Sequence, residues 1–179
     1  MLKQPEPEFS RPFAADRLGQ AAVTEALVAG PAECAALAKR LKLVELTQLS
    51  AVVTLERTLG GLIHVGGRLE ADVVQTCVVT LTDFPSHVED SFAVDFGNAP
   101  AEFGPSDGDD GIELDPDYDP PEPIEGGIID LGELVTQYLA LALDQHPRAP
   151  GATLDPAWSG ADVAETSPFA VLKNLKTAN

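Results

Sequence analysis

From Leu49 to Val73 the chain alternates between apolar and polar residues, and alternation of this length leaves few folds open. In "LSAVVTLERTLGGLIHVGGRLEADVV", Leu49, Ala51, Val53 and Leu55 are separated by more polar neighbours. Beyond Gly60-Gly61, Ile63, Val65, Leu69, Ala71 and Val73 alternate with His64, Arg68, Glu70 and Asp72. Successive strand side chains point to opposite faces, so a period of two sends one set to a core and the other to water. The paired glycines supply the turn, and the pattern predicts a long antiparallel hairpin with one buried face. His64 falls on the polar face as an exposed side chain. The glycines here are no phosphate loop, because strands flank them and no G-K-[ST] opens a helix after them.

Carrying the odd register onward makes "VQTCVVTL" a strand continuation. Cys77, Val79 and Leu81 then share the face of Val73, with Thr76, Val78 and Thr80 opposite. On that reading Cys77 is a small apolar core residue. Asp83-Phe84-Pro85-Ser86 reads as a turn. "VEDSFAVDF" returns with Val88, Phe92, Val94 and Phe96 on one face and Asp90 as the polar exception.

Upstream, "FSRPF" suits an edge strand, since Pro12 cannot donate to a ladder. "AAVTEALV" is a further strand, broken by Gly30-Pro31. "PAECAALAKRL" is helical, with Pro31 at the first turn and Cys34, Leu37, Ala38 and Leu41 in one apolar stripe. A longer helix follows in "IIDLGELVTQYLALALDQHP". Asp130 caps it, Glu133 stands three residues on as in a capping box, and Pro147 lies past its end. "SPFAVLKNLK" forms a short amphipathic helix begun by Ser167 and Pro168. These elements add up to an α+β fold: a mainly antiparallel twisted sheet, open or curled toward a barrel, with a helix in the N-terminal half and a longer one near the C-terminus.

At 179 residues the chain suits one domain spanning 1–179, long enough to bury about 70 % of its unfolded surface. Cys34 and Cys77 are too few for a disulfide framework, which favours a reducing compartment. No apolar run approaches the roughly 20 residues of a membrane span. The opening "MLKQPEPEFSRPF" has early prolines and no apolar core, unlike a secretory leader. A cytoplasmic protein with no membrane partner is expected.

Charge is the second constraint. The net −18 comes from one block: Leu69 to Pro147 holds 19 Asp and Glu with no Lys or Arg, and the remainder has 10 acids against 11 bases. Within that block, residues 98–127 form a Pro- and Gly-rich acidic excursion, read as disordered or loosely attached. Its "DPDYDP" lacks the glycine, the twelfth-position glutamate and the helical arms of an EF-hand, so it is not taken as a calcium loop. Asp107, Asp109, Asp110, Asp115, Asp117 and Asp119 are its candidate contacts for a basic protein. Lys39, Arg40, Lys42, Arg57 and Arg68 are the candidate RNA contacts, although Lys39, Arg40 and Lys42 also fit a solvated helix end. Sequence-independent binding to nucleic acid draws on about 6–10 phosphate contacts, which so few scattered bases in an acidic field supply poorly.

Three stretches, "EADVVQTCVVTL", "YDPPEPIEGGIIDLGELVTQYLALAL" and "SPFAVLKNLK", resemble in order and spacing the YceD family, bacterial proteins associated with accumulation of large-subunit ribosomal RNA. The resemblance runs from about Glu70 onward, and the earlier strand, helix and hairpin match it more loosely. Many relatives carry C-x-x-C where this chain has Cys77-Val78-Val79-Thr80, and some a further cysteine where this chain has "HPRAPGA". A structural zinc site takes four Cys or His ligands. Only Cys77 and His146 stand at the corresponding places, so no metal and no cofactor are expected, with apolar packing in their stead.

An enzyme must hold a nucleophile, acid, base or metal in a pocket. His64, His87 and His146 are the only histidines, and G-x-S-x-G, H-E-x-x-H and phosphate-loop patterns are absent. The resemblance implies a non-enzymatic ribosome-biogenesis factor, and the charge adds a basic partner, ribosomal or rRNA-associated. A generic acidic interaction module and a direct RNA binder are the alternatives.

Overall fold

The computed structural model describes residues 7–97 and 120–154. Its main sheet has four antiparallel strands in sequence order: β2 (Val23–Val28), β3 (Glu45–Arg57), β4 (Ile63–Thr76) and β5 (Asp83–Phe96). β1 (Pro12–Ala14) pairs separately with β6 (Ile128–Asp130), and a 3-10 turn, Ala15–Arg17, follows β1. Helices α1 (Pro31–Leu41) and α2 (Leu131–Ala142) complete an α+β arrangement in which the sheet stays open.

The alternating segment is the β3–β4 hairpin. Val53 faces Gly67 and Leu55 faces Val65, and at its tip Thr58 N–H donates to Leu62 O at 2.9 Å. Leu49, Val53, Leu55, Ile63, Val65, Leu69 and Val73 are fully or almost fully buried. With Leu37 of α1 and Leu131, Val135 and Leu139 of α2 they make one core on one face of the sheet. The opposite face carries no helix among the described residues.

A glycine lets the N-terminal segment approach α2. A Cβ at Gly132 would collide with the Phe9 carbonyl and stand 3.1 Å from Arg11 N, so only glycine lets the N-terminal segment cross the start of α2. Asp130 fixes the same junction. Its carboxylate accepts from Gly132 N (3.0 Å), Glu133 N (3.2 Å) and Arg11 N (2.7 Å). The expected cap is present, but Glu133 does not turn back to complete a capping box; its carboxylate binds Arg40 instead, at 2.6 and 2.8 Å.

The largest departure from the alternation pattern lies after β4. The strand stops at Thr76, and Cys77–Thr82 form a tight turn closed by Cys77 N to Thr82 O (2.8 Å) and Leu81 N to Cys77 O (2.9 Å). Leu81 adopts a left-handed φ of 57° and is 79 % exposed, so it does not share the face of Val73. Asp83-Phe84-Pro85-Ser86 is therefore the start of β5 rather than a turn. Proline is tolerated there because β5 is an edge strand and the Pro85 nitrogen points away from β4.

Candidate functional site

Two places carry unusual chemistry: the solvent face of β4 and β5, and the Cys77 turn. On the first, the side chains opposite the core come from alternate residues. Glu70 pairs across the strands with Glu89, Asp72 with His87, Arg68 with Ser91, and His64 with Asp95. Like charges directly opposite repel, so Glu70 and Glu89 need a cation between them. Arg68 supplies it, 2.7 Å from Glu89 and 3.7 Å from Glu70. His87 serves the next row, with Nδ1 2.7 Å from Asp72 and Nε2 3.2 Å from Glu89. Its hydrogen bond to Asp72, and then that to Glu89, raise its pKa above the ordinary histidine value. His64 bonds Asp95 at 2.7 Å and is only partly exposed, less open than its polar-face position predicted.

Glu70, Asp72, Asp83, Glu89 and Asp95 thus share one solvent face of β4 and β5 with a single guanidinium, Arg68. The surplus is negative even with both histidines protonated. The six aspartates Asp107, Asp109, Asp110, Asp115, Asp117 and Asp119 lie outside the described residues. Sequence reasoning placed the acidic contacts in the excursion and passed over this sheet face, although the alternation places Glu70 and Asp72 on it.

The five candidate RNA-contacting cations do not form a patch. Arg40 is held between Glu133 and Glu8, the latter at 2.9 Å, and these bonds raise its pKa further; that of Glu8 is lowered first by its own backbone amide and then by Arg40. Arg57 donates to the carbonyls of Leu18 and Ala15 at 2.9 Å, tying β3 to the N-terminal segment. Arg68 is spent on Glu89 and Glu70. Lys39 and Lys42, at the end of α1, are exposed and make no ion pair among the described residues.

The Cys77 turn brings together the end of β4 and the chain after α2. Gln75 Nε2 donates to Asp144 O at 3.2 Å and Val78 N to Pro147 O at 2.9 Å, which lays the chain after α2 against the turn. Cys77 is fully buried, as its reading as a small buried residue expects, but it lies outside the contiguous apolar cluster. Its Sγ accepts from Val79 N and Thr80 N, both at 3.4 Å. The Thr80 side chain, the Ala149 amide and the Thr80 amide pull its pKa down to about 6, outweighing the opposing desolvation. Main-chain and Gln75 hydrogen bonds therefore join these segments, and the bonds from Val79 and Thr80 to the sulfur hold the turn itself. Cys34 contrasts: buried beneath α1, its thiol is pushed up by desolvation first and by Glu33 second.

A zinc site does not fit the residues present. Thr80 stands where a second thiolate would be needed and His146 is exposed. No three His, Cys, Asp or Glu side chains among the described residues are placed to hold one ion. Nor is any described helix long and apolar enough to cross a membrane.

Residues 65–176, more than half of the chain, match the family model described as "Large ribosomal RNA subunit accumulation protein YceD". The matched range takes in most of β4, the Cys77 turn, β5, β6 and α2. No curated protein and no solved structure matches the chain.

Proposed function

The chain belongs to the YceD family, and on that premise we propose that it serves ribosome biogenesis in the cytoplasm as a non-enzymatic factor supporting accumulation of large-subunit ribosomal RNA. It does so by holding carboxylates toward a basic protein, ribosomal or rRNA-associated. The observation that carries this reading is the solvent face of β4 and β5, with five carboxylates against one guanidinium on rigid strands. Fixed charges of one sign speed encounter with an oppositely charged partner and repel phosphate backbones.

The disposition of the other titratable groups supports the same reading. His64 and His87 are bonded to carboxylates on an open face, where nothing excludes water from a reaction. Arg40 and Arg57 hold the fold together and are not free to track phosphates. Direct contact with RNA is the second reading, favoured by Lys39 and Lys42 alone.

Depleting the protein from its host and measuring mature large-subunit against small-subunit RNA tests the proposal. The large-subunit species should fall and be restored by the intact gene. An unchanged ratio would remove the ribosomal assignment.

A further inference from the structure

Among the described residues, the outer edge of β5 is unpaired over most of its length. In an antiparallel pair, residues alternate between those whose N–H and C=O both face the partner strand and those whose groups face away. Asp95 O accepts from Glu122 N and Gly97 N donates to Glu122 O, each at 2.8 Å, so the odd-numbered residues of β5 point away from β4. Pro85, of the same parity, agrees, since its missing N–H leaves the β4–β5 ladder intact. His87, Glu89, Ser91 and Ala93 therefore turn both backbone groups outward and are all exposed. Among the described residues no strand or loop pairs with them.

We infer that this edge, from His87 to Ala93, is a strand-addition site for an extended basic segment of a protein partner. The inference rests on the acidic-surface reading above and adds the mode of docking. Main-chain hydrogen bonds supply affinity in such complexes, and side chains beside the edge select the sequence. Here the balance is acidic: β5 contributes Asp83, Glu89, Asp90 and Asp95 against His87, and has no Lys or Arg. Natural edge strands are commonly blunted by lysine or proline; β5 has no lysine, and its one proline, Pro85, lies outside His87–Ala93. A second copy of β5 would set Glu89 and Asp83 against their own kind. An incoming strand with Lys or Arg at alternate positions would meet Glu89 and Asp83 on the solvent side of the sheet. RNA has no strand ladder to offer and is repelled.

The test uses the full chain and two peptides, one alternating Lys with Thr and Val, the other identical but with alternate backbone nitrogens methylated. Hydrogen exchange is read at the amides of His87, Glu89, Ser91 and Ala93. The unmodified peptide should slow exchange there at least about tenfold and the methylated one should not. Ser91→Pro should keep the fold, by the precedent of Pro85, and abolish the protection. Equal binding of both peptides, insensitive to Ser91→Pro, would overturn the strand-addition mode while leaving the acidic-surface reading standing. Binding of neither peptide would overturn both. Protection before any peptide is added would show the edge covered, by a second copy if it grows with protein concentration and by the chain itself if not. Either result overturns the inference, as would protection produced by an rRNA fragment alone.

Discussion

The ring of Phe92 covers Gly67, its direct neighbour across the β4–β5 ladder, and stacks on Tyr138 of α2 with centroids 4.3 Å apart and planes within 10°. A Cβ at Gly67 would stand within 3.0 Å of three Phe92 ring carbons. The ring cannot retreat without leaving Tyr138, so the bare Cα is what lets α2 dock on the sheet.

Gly67→Ala should therefore destabilise the fold by about 1–3 kcal/mol, the usual cost of overpacking. Its neighbour is the control. A Cβ at Gly66 meets nothing closer than 3.9 Å, so Gly66→Ala should stay within about 0.5 kcal/mol of the parent. Denaturant midpoints measure both, and equal shifts would contradict the packing described.

Cys77 should ionise near pH 6, seen as thiolate absorbance that titrates there and disappears in Cys77→Ser. Thr80→Val removes the hydroxyl that acts most strongly and should move the titration upward. The folded pKa lies below the ordinary value of 9.0, so the thiolate's stabilisation is fully present above that value and is lost as pH falls through about 6. The melting temperature of the parent should gain on that of Cys77→Ser between those limits. Parallel profiles would contradict the hydrogen-bonded sulfur.

His87 should show the opposite sign. Its pKa is raised by Asp72 and Glu89, so its contribution is present below about 6.5, the unfolded value, and is lost as pH rises through the folded pKa. Ring-proton NMR should report a pKa that falls in Asp72→Asn. No change in that variant would mean the bond does not persist in solution.

Arg40→Met should weaken the union of α1, α2 and the N-terminal segment, costing on the order of 1 kcal/mol given its partial exposure. Lys39→Glu and Lys42→Glu, with no ion pair among the described residues to lose, should leave stability unchanged. If these reversals abolished salt-sensitive binding of purified protein to rRNA fragments, direct RNA contact would replace the basic-partner reading.

The hairpin, α1, α2 and most of the buried set were legible because alternation and the 3.6-residue period are local consequences of burial on one face; the helix expected at "SPFAVLKNLK" lies outside the described residues. The end of β4 was not. Val78, Val79 and Leu81 continue an apolar run, but the turn is set by Cys77 N–H meeting Thr82 O and by the chain after α2 meeting Val78, which are long-range facts. Pro85 carried an available signal: proline in a strand implies an edge. Its neighbours Asp83 and Ser86 are turn formers and mask that signal. Of the candidate site, the negative charge was visible as the base-free block. That Arg40, Arg57 and Arg68 are already engaged could not be seen, since their partners lie 93, 39 and 21 residues away in sequence.

Deleting residues 100–119, which removes the six aspartates but spares Glu122 and its bonds to Asp95 and Gly97, should separate the two acidic surfaces. If the sheet face suffices, the variant keeps part of its affinity for a basic partner. If the excursion is the whole binding surface, none remains. Calorimetric titration with the alternating Lys peptide measures the difference.

The central claim is that negative charge on an inert scaffold meets a basic protein. Capture of ribosomal proteins by the tagged full chain from host lysate, with and without RNase and across a salt series, tests it most directly. Ribosomal proteins that stay bound after RNase and are released by salt are the predicted result. Their complete loss on RNase treatment, or their absence throughout, would contradict it.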